Sequence, residues 1–149
     1  MEQALFSRSF QTADQAGRSV RCLKEEQALE IARLYRCTLR HVYGKALKNN
    51  IIPYRYIRNR TIMSVKEQLR ILESAVAVVG AGALGGLTME ILARTGIGKL
   101  ILVDDDILEE TNLNRQVLSA KDTLGRSKAE TGASRVRAVN PAVDMAVHQ

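Results

Sequence analysis

The sequence predicts an α/β fold, a Rossmann-like parallel βαβαβ half-sheet preceded by an N-terminal helical segment. Short apolar runs rich in β-branched residues, such as AVAVV at 75–79, alternate with stretches of helical periodicity. A glycine-rich turn follows the first of these runs and opens a helix. Strands that alternate with helices in this way form parallel sheets through right-handed connections.

The first 50 residues are predicted to be an N-terminal helical extension. Residues 1–20 are polar and weakly periodic, so little order is expected there. From Cys22 to Asn49, apolar residues recur at helical spacing, which fits one long helix or two short ones. Asn49 and Asn50 favour a stop, and Pro53 then breaks the helical pattern.

The half-sheet is predicted to begin after an arginine-rich connector, YRYIRNR at 54–60. Ser64 and Glu67 form a capping-box pattern that opens a short helix through about Glu73. The first strand then leads into a helix over 81–95, which the glycines after Thr95 close.

The remaining elements complete the predicted alternation. Residues 99–103 read as a second buried strand. Ser127 caps a helix that runs to Val139 and stops at Asn140-Pro141. Residues 143–147 alternate in polarity and are predicted to form a third strand.

Composition narrows the classes of function. No run of about 18 apolar residues is present and the first ten residues lack a signal-peptide core, so a cytoplasmic protein without membrane contact is expected. Cys22 and Cys37 form no metal-binding pair.

Residues 1–70 carry a net charge of +8 and residues 71–149 carry −2. A basic half fits nucleic acid or an acidic partner, but its few aromatic residues argue against nucleic acid.

The glycine turn predicts a phosphate-binding loop. Gly80, Gly82 and Gly85 form GxGxxG between a strand and a helix, where backbone N–H groups can approach a phosphate. The alternative is a turn that only packs. Asp104 follows Gly85 by nineteen residues, at the end of the second strand, where a carboxylate accepts hydrogen bonds from ribose hydroxyls. An NAD enzyme and an ATP enzyme fit this pattern equally.

Two further features favour ATP. Asn112 to Gln116 lie beyond the carboxyl end of the second strand, where ligands of open α/β sheets bind, and an arginine there can pair with phosphate oxygens. Lys128 falls at the positive end of a helix, which an anionic ligand would make favourable. The alternatives without a ligand are a solvated loop, in which Arg115 offsets nearby carboxylates, and an exposed lysine that is tolerated at small cost.

Together, these blocks resemble the ThiF/MoeB/HesA family over residues 54 to 147. The resemblance rests on RYIRNR, VAVVGAGALGG, LILVDDDILEETNLNRQ, GRSKAE and AVNP, in unbroken order. Members of this family are relatives of the ubiquitin-activating enzymes and adenylate the C-terminal glycine of ubiquitin-like and sulfur-carrier proteins. Residues 51–149 would then be the truncated N-terminal part of an ATP-binding, ThiF-like adenylation domain.

The resemblance implies a role for each matching residue. Arg58, Arg115 and Lys128 would be catalytic: Arg115 and Lys128 contact phosphates, as Gln116 does, and Arg58 is the finger that reaches into a partner subunit's ATP site. The nucleotide would be lined by Gly80, Gly82, Ala83, Gly85, Asp104, Asp106, Thr111, Asn112, Leu113, Asn114, Arg115, Gln116 and Lys128.

The resemblance also implies cofactors and partners. ATP with Mg²⁺ is expected, but no residue of this chain is assigned to a metal, because the family's magnesium-binding aspartate and its zinc-binding CxxC pairs fall beyond Gln149. A ubiquitin-like sulfur carrier of a molybdopterin or thiamine type pathway and a homodimer are the expected partners. Ala83 stands where the family usually has glycine. The alternatives are a non-catalytic subunit or interaction module, and an NAD(P)-binding domain.

Overall fold

The computed structural model describes residues 1–149, which divide into two compact units, Met1–Glu73 and Ser74–Gln149. The predicted extension of residues 1–50 lies inside the first unit, whereas residues 51–149 are divided between the two. None of the helices combines the length and the apolar character that a membrane crossing requires.

The first unit contains a three-stranded sheet and four α-helices. Strand β1 pairs antiparallel with β2, and β2 pairs parallel with β3. In chain order the elements are α1 (Glu2–Arg8), β1 (Phe10–Ala13), β2 (Ser19–Leu23), α2 (Glu25–Leu34), α3 (Leu39–Lys48), β3 (Ile51–Pro53), a 3₁₀ helix (Tyr54–Thr61) and α4 (Val65–Glu73).

The sequence-based prediction of little order over residues 1–20 is wrong. A β-hairpin forms there, and its turn is closed by Asp14, whose carboxylate accepts hydrogen bonds from the backbone N–H groups of Ala16 (2.9 Å) and Arg18 (3.0 Å). Gly17 supplies the positive φ of 73° that the turn requires. Cys22, expected at the start of a helix, is instead buried in β2. The turn residues were visible in the sequence, but the flanking strands are too short to show periodicity.

The helical prediction for residues 22–49 is resolved as two short helices. Thr38 caps α3 by accepting a hydrogen bond from the His41 N–H at 3.2 Å. The predicted stop is confirmed, because α3 ends at Lys48 and Asn50 has a φ of +56°. The capping box that opens α4 is also confirmed: Ser64 and Glu67 exchange hydrogen bonds of 2.7 and 3.2 Å.

The second unit is the predicted parallel βαβαβ half-sheet. Its three strands pair in parallel in the order β4-β5-β6. The elements are β4 (Ala75–Val79), α5 (Ala83–Thr95), β5 (Lys99–Val103), a 3₁₀ turn (Glu110–Asn112), α6 (Lys128–Val139) and β6 (Asp144–His148).

Part of one face of this sheet and the outer edge of β4 are exposed. Right-handed connections that advance across the sheet in the same direction place α5 and α6 on the same face. Leu100 and Leu102 of β5 are buried on that face. On the opposite face Val79 is 81% exposed, and on the outward side of α5 Leu84 is 79% exposed. The outer edge of β4 has neither a strand partner nor a charged residue, which are the usual means of blocking association.

Glu90 joins the two helices of the half-sheet. Its carboxylate lies on α5 and accepts hydrogen bonds from Arg135 on α6 (2.9 and 3.0 Å) and from Arg94 one turn along α5 (2.5 and 3.0 Å). The guanidinium of Arg135 has the largest effect, followed by that of Arg94, and together they lower the pKa of Glu90 to about 2. The buried carboxylate is therefore ionised throughout the physiological pH range.

We expect Glu90 to make the protein more stable above pH 4.5 than below it. Because the folded-state pKa of Glu90 lies below its ordinary value of 4.5, its stabilising contribution is complete above about pH 4.5 and is lost as the pH falls towards 2. Glu90→Gln should lower the free energy of unfolding by on the order of 1 kcal/mol at pH 7 and should flatten its decline in acid. Urea unfolding between pH 7 and pH 2.5 measures both effects. Asp122→Asn, an exposed carboxylate without a partner, is the control, and identical acid profiles for the two variants would contradict this assignment.

Candidate functional site

The glycine loop between β4 and α5 is held in a conformation that needs two of its glycines. Gly80 has a φ of +89°, and its N–H donates a 2.8 Å hydrogen bond to the carbonyl of Val103 on β5. A Cβ on Gly85 would lie 1.8 Å from the Gly80 carbonyl oxygen. A Cβ on Gly82, by contrast, would meet nothing nearer than 4.0 Å, so Gly82 leaves open space in front of the helix N-terminus.

Ala83, which replaces the family's usual glycine, is accommodated without strain. It is the first residue of α5, and the non-glycine residues with positive φ, Arg36 and Asn50, both lie in the first unit. Ala83 therefore does not have the positive φ that would be strained for a residue other than glycine. The loop therefore keeps a free helix N-terminus with alanine at this place.

Asp104 ties the glycine loop to the end of β5. One carboxylate oxygen accepts a 2.5 Å hydrogen bond from the Ala81 N–H, and the other accepts a 2.9 Å hydrogen bond from the Asp106 N–H. The sequence argument assigned Asp104 only to a ribose and gave no sign of its bond to the loop. Each oxygen has a second lone pair, so a ribose contact, which stays a prediction, is compatible with these two bonds.

Lys128 is neither exposed nor unpaired. It is the first residue of α6 and its side chain is only 9% exposed, while its ammonium lies 2.7 Å from the Asp106 carboxylate, which is 68% exposed. The Lys128 N–H also donates to the Asp106 carbonyl at 3.0 Å. The alternative of a tolerated surface lysine is therefore wrong, because a buried cation at the positive end of a helix requires an anion beside it.

The polar cluster after β5 is organised around Asn112. Asn112 is buried, and its side-chain oxygen accepts a 3.0 Å hydrogen bond from the Glu109 N–H. Arg115 is exposed and donates to the Thr111 carbonyl (2.7 Å) and to the side-chain oxygen of Asn114 (3.1 Å). These acceptors are neutral, so the charge of Arg115 is uncompensated. Leu113 and Asn114 point largely to solvent.

Gln116 provides an unsatisfied group beside the glycine loop. Its side chain is buried, and its Nε2 lies 4.0 Å from where a Cβ of Gly82 would be. Its Oε1 is buried without a hydrogen-bond partner. A buried amide oxygen of this kind is costly to leave unpaired. The Nε2 could donate to a phosphate oxygen.

Arg58 lies in the first unit and differs sharply from its neighbour Arg55. Both are on the 3₁₀ helix, where side chains three residues apart point the same way. Arg55 pairs with Glu25 of α2 at 2.9 Å, whereas the exposed Arg58 guanidinium has no partner. The structure thus distinguishes the two arginines of RYIR and leaves Arg58 available for an anion.

The second unit therefore gathers most of the predicted nucleotide-site residues. The ends of β4 and β5 and the start of α6 bring together the glycine loop, Asp104, Asp106, Gln116 and Lys128. The sequence did not reveal the Asp106–Lys128 pair, because 22 residues separate the two partners. Arg115 and Thr111 are adjacent to this group along the chain and are exposed.

Comparisons of this chain with known proteins agree on one family. Residues 56–149 match the model of the ThiF family. The chain is 49% identical over 78 residues to the SAMP-activating enzyme E1 of Haloferax volcanii, covering 52% of this chain and 29% of that protein. It is 38% identical over 97 residues to the probable adenylyltransferase/sulfurtransferase MoeZ of Mycobacterium tuberculosis, covering 64% and 25% of the two chains.

A similar solved structure contains ATP. It is the E. coli tRNA N6-threonylcarbamoyladenosine dehydratase TcdA in complex with ATP, with a TM-score of 0.62 and 36% sequence identity. The likeness covers 63% of this chain and 39% of that one. The chain thus spans about a quarter to three tenths of the two sequence relatives that it matches.

The two glycines of the loop should respond differently to alanine. Gly85→Ala should lower the free energy of unfolding by about 2 kcal/mol or more, because the new Cβ would collide with backbone. Gly82→Ala should change it by less than about 0.5 kcal/mol, since φ is −71° and the space is open. Urea unfolding followed by circular dichroism compares the two variants. Equal stabilities would mean that the loop does not hold the observed conformation.

Removing Asp106 should be more harmful than removing its partner. Asp106→Ala leaves the buried ammonium of Lys128 without an anion and should cost about 1 to 2 kcal/mol. Lys128→Met keeps the buried aliphatic chain and leaves an exposed carboxylate, so its cost should be about 0.5 kcal/mol or less. Thermal unfolding at low and high salt measures the difference. The reverse order of stabilities would show that the ion pair does not govern this helix end.

Proposed function

The chain belongs to the ThiF family, and on that premise we propose that it forms part of an ATP-dependent adenylyltransferase. The proposed substrate is the C-terminal glycine of a ubiquitin-like or sulfur-carrier protein. The observation that carries the proposal is the grouping of a glycine loop, a strand-end carboxylate, a buried lysine at a helix start and the unsatisfied amide of Gln116.

The residues present fit ATP as the substrate. The open space at Gly82 lets a phosphate approach the N-terminus of α5, where unpaired N–H groups and the helix dipole favour an anion. Asp104 would accept hydrogen bonds from the ribose hydroxyls through its remaining lone pairs. Gln116 can accept a hydrogen bond from the ligand through Oε1 and donate to a phosphate oxygen through Nε2.

The reaction joins two anions, so positive charge is its main requirement. A carboxylate oxygen of the carrier attacks the α-phosphorus, a new P–O bond forms, and the bond to the β-phosphate breaks to release pyrophosphate. Arg115, whose charge is uncompensated, and Lys128 at the start of α6 would stabilise the charge that builds up on the phosphates. Lys128 can turn to a phosphate only if Asp106 releases it, and the exposed position of Asp106 allows this.

Arg58 is proposed to complete the site from a second copy of the chain. Its guanidinium is exposed and unpaired, while Glu25 neutralises Arg55 beside it. A homodimer in which each Arg58 reaches the partner's phosphates would add one further cation to each site. This assignment rests on the family resemblance together with the free state of Arg58.

Magnesium would neutralise part of the triphosphate charge in this reaction, and a cluster of three carboxylates follows β5. The carboxylates of Asp104, Asp105 and Asp106 lie within 4.8 Å of one another. Asp104 is bonded to two backbone N–H groups and Asp106 to Lys128, which leaves Asp105 alone without a bond. Mg²⁺ is usually bound through one or two carboxylates together with substrate phosphates and several waters, and no residue of this chain is assigned to it.

A titration of this chain with ATP–Mg, adenosine and NAD tests the ligand. We expect ATP to bind at least tenfold more tightly than NAD. Arg115→Ala should weaken ATP binding about tenfold, the loss of one charge-assisted phosphate contact, without changing the affinity for adenosine. Lys121→Ala, an exposed lysine without a partner, is the matched control. Binding of NAD but not ATP would overturn the proposal in favour of a dinucleotide-binding domain.

Carrier-dependent ATP–pyrophosphate exchange tests the activity. The polypeptide that contains this chain should catalyse exchange when a ubiquitin-like carrier with a free C-terminal glycine is supplied. Residues 1–149 alone should bind ATP and show little exchange. ATP binding without exchange in the complete polypeptide would favour the alternative, a non-catalytic subunit of the same family.

A further inference from the structure

A basic groove runs along α3 in the first unit, and α3 lies outside the residues that the family model matches. One face of α3 is buried in the unit, and the opposite face borders an open groove of about 300 Å³. The far wall is the C-terminal end of α4, with Leu72 and Glu73. The residues that line the groove from α3 and its cap are Thr38, Arg40, His41, Gly44, Lys45 and Lys48.

Gly44 in the middle of α3 is not required by the packing of the chain itself. Its backbone is helical, and a Cβ at this position would lie 3.7 Å from Leu72 Cδ2, an ordinary van der Waals contact. Glycine is the poorest helix former after proline, so the helix is less stable than it would be with alanine. A glycine that the fold does not need is typical of a place where another backbone approaches closely.

The groove carries more positive charge than its own carboxylate can offset. Lys45 and Lys48 are cations, and Glu73 pairs with Lys48, at 2.9 Å. The side chains of Lys45 and His41 are exposed and have no partner. A ligand for this groove must therefore carry negative charge.

The same groove also offers hydrogen-bond acceptors. The Leu72 carbonyl, at the negative end of α4, accepts a 3.2 Å hydrogen bond from Arg40, and the last carbonyls of a helix have no partner within it. A DNA phosphodiester chain presents acceptors but no backbone donors, an RNA chain adds only its 2′-hydroxyls, and the negative end of α4 disfavours the phosphates of both. A polypeptide with acidic side chains presents carboxylates for the cations and N–H donors for these carbonyls.

We propose that the α3 groove binds an acidic polypeptide segment of a partner protein, whose backbone crosses Gly44 and whose carboxylates contact Lys45 and its neighbouring cations. The site lies in the first unit and shares no residue with the proposed nucleotide site. A stretch of Asp or Glu residues with a small or apolar residue over Gly44 and Leu72 is the chemistry that fits.

Fluorescence anisotropy with the whole chain tests the proposal. The probe is a fluorescein-labelled nonapeptide of glutamate, glycine and leucine in alternation. The comparisons are the same peptide with lysine in place of glutamate, a 12-base-pair RNA duplex and a DNA duplex of the same length. We expect the acidic peptide to bind at least tenfold more tightly than the lysine peptide and either duplex, with affinity falling as salt is raised. Tighter binding of a duplex, or no preference for the acidic peptide, would overturn the proposal.

Two substitutions locate the binding in the groove. Gly44→Gln should raise the midpoint of thermal unfolding, because glutamine is a better helix former, and should weaken peptide binding about tenfold by filling the groove. A higher unfolding midpoint together with a lower affinity would show that the site is blocked while the fold is intact. Lys45→Glu should also weaken binding about tenfold, whereas Lys121→Glu, an equal charge change in the second unit, should not. Unchanged affinity in Gly44→Gln would overturn the assignment of the groove.

Discussion

The hydrogen bond from the Ala81 N–H to the Asp104 carboxylate is the constraint on which the candidate site depends. It joins the loop after β4 to the end of β5, and Asp104 turns the following chain by also accepting from the Asp106 N–H. That turn places Asp106 where it meets Lys128 at the start of α6. One carboxylate thereby aligns three parts of the half-sheet around the space in front of Gly82. Charged hydrogen bonds of this kind are about twice as strong as neutral ones.

Electrostatics then determines which cations remain available. Lys128 is buried and already paired with the exposed carboxylate of Asp106. Its charge is therefore available to a ligand only when that ion pair opens. Arg115 bonds only to neutral oxygens, and Arg58 bonds to nothing, although Arg55 beside it is neutralised by Glu25. This difference in pairing separates arginines that have an ionic partner within the chain from those that we propose to bind a ligand. Net charge by itself does not make that distinction.

The half-sheet was predictable from the sequence because its signals are local and strong. The run AVAVV, the glycine loop and the Ser127 cap lie at β4, the start of α5 and the start of α6 as expected. The hairpin before Leu23 was missed because strands of four or five residues show little periodicity. The Asp106–Lys128 pair and the buried oxygen of Gln116 could not be predicted, because they depend on contacts between residues distant in sequence. A fold class predicts which ends of strands and helices come together, but not which side chains make contact there.

Three positions where this chain departs from its own stability optimum lie at the surfaces proposed to bind ligands. Gln116 buries an unsatisfied oxygen, Lys128 places a cation at the positive end of a helix, and Gly44 weakens α3 without a packing reason. Each costs folding free energy that a ligand can return, whereas Glu90, which touches no proposed ligand, is fully paired. Local conflicts of this kind are expected at functional sites rather than in a core. The nucleotide site and the α3 groove therefore share one physical signature, although one holds a family motif and the other does not.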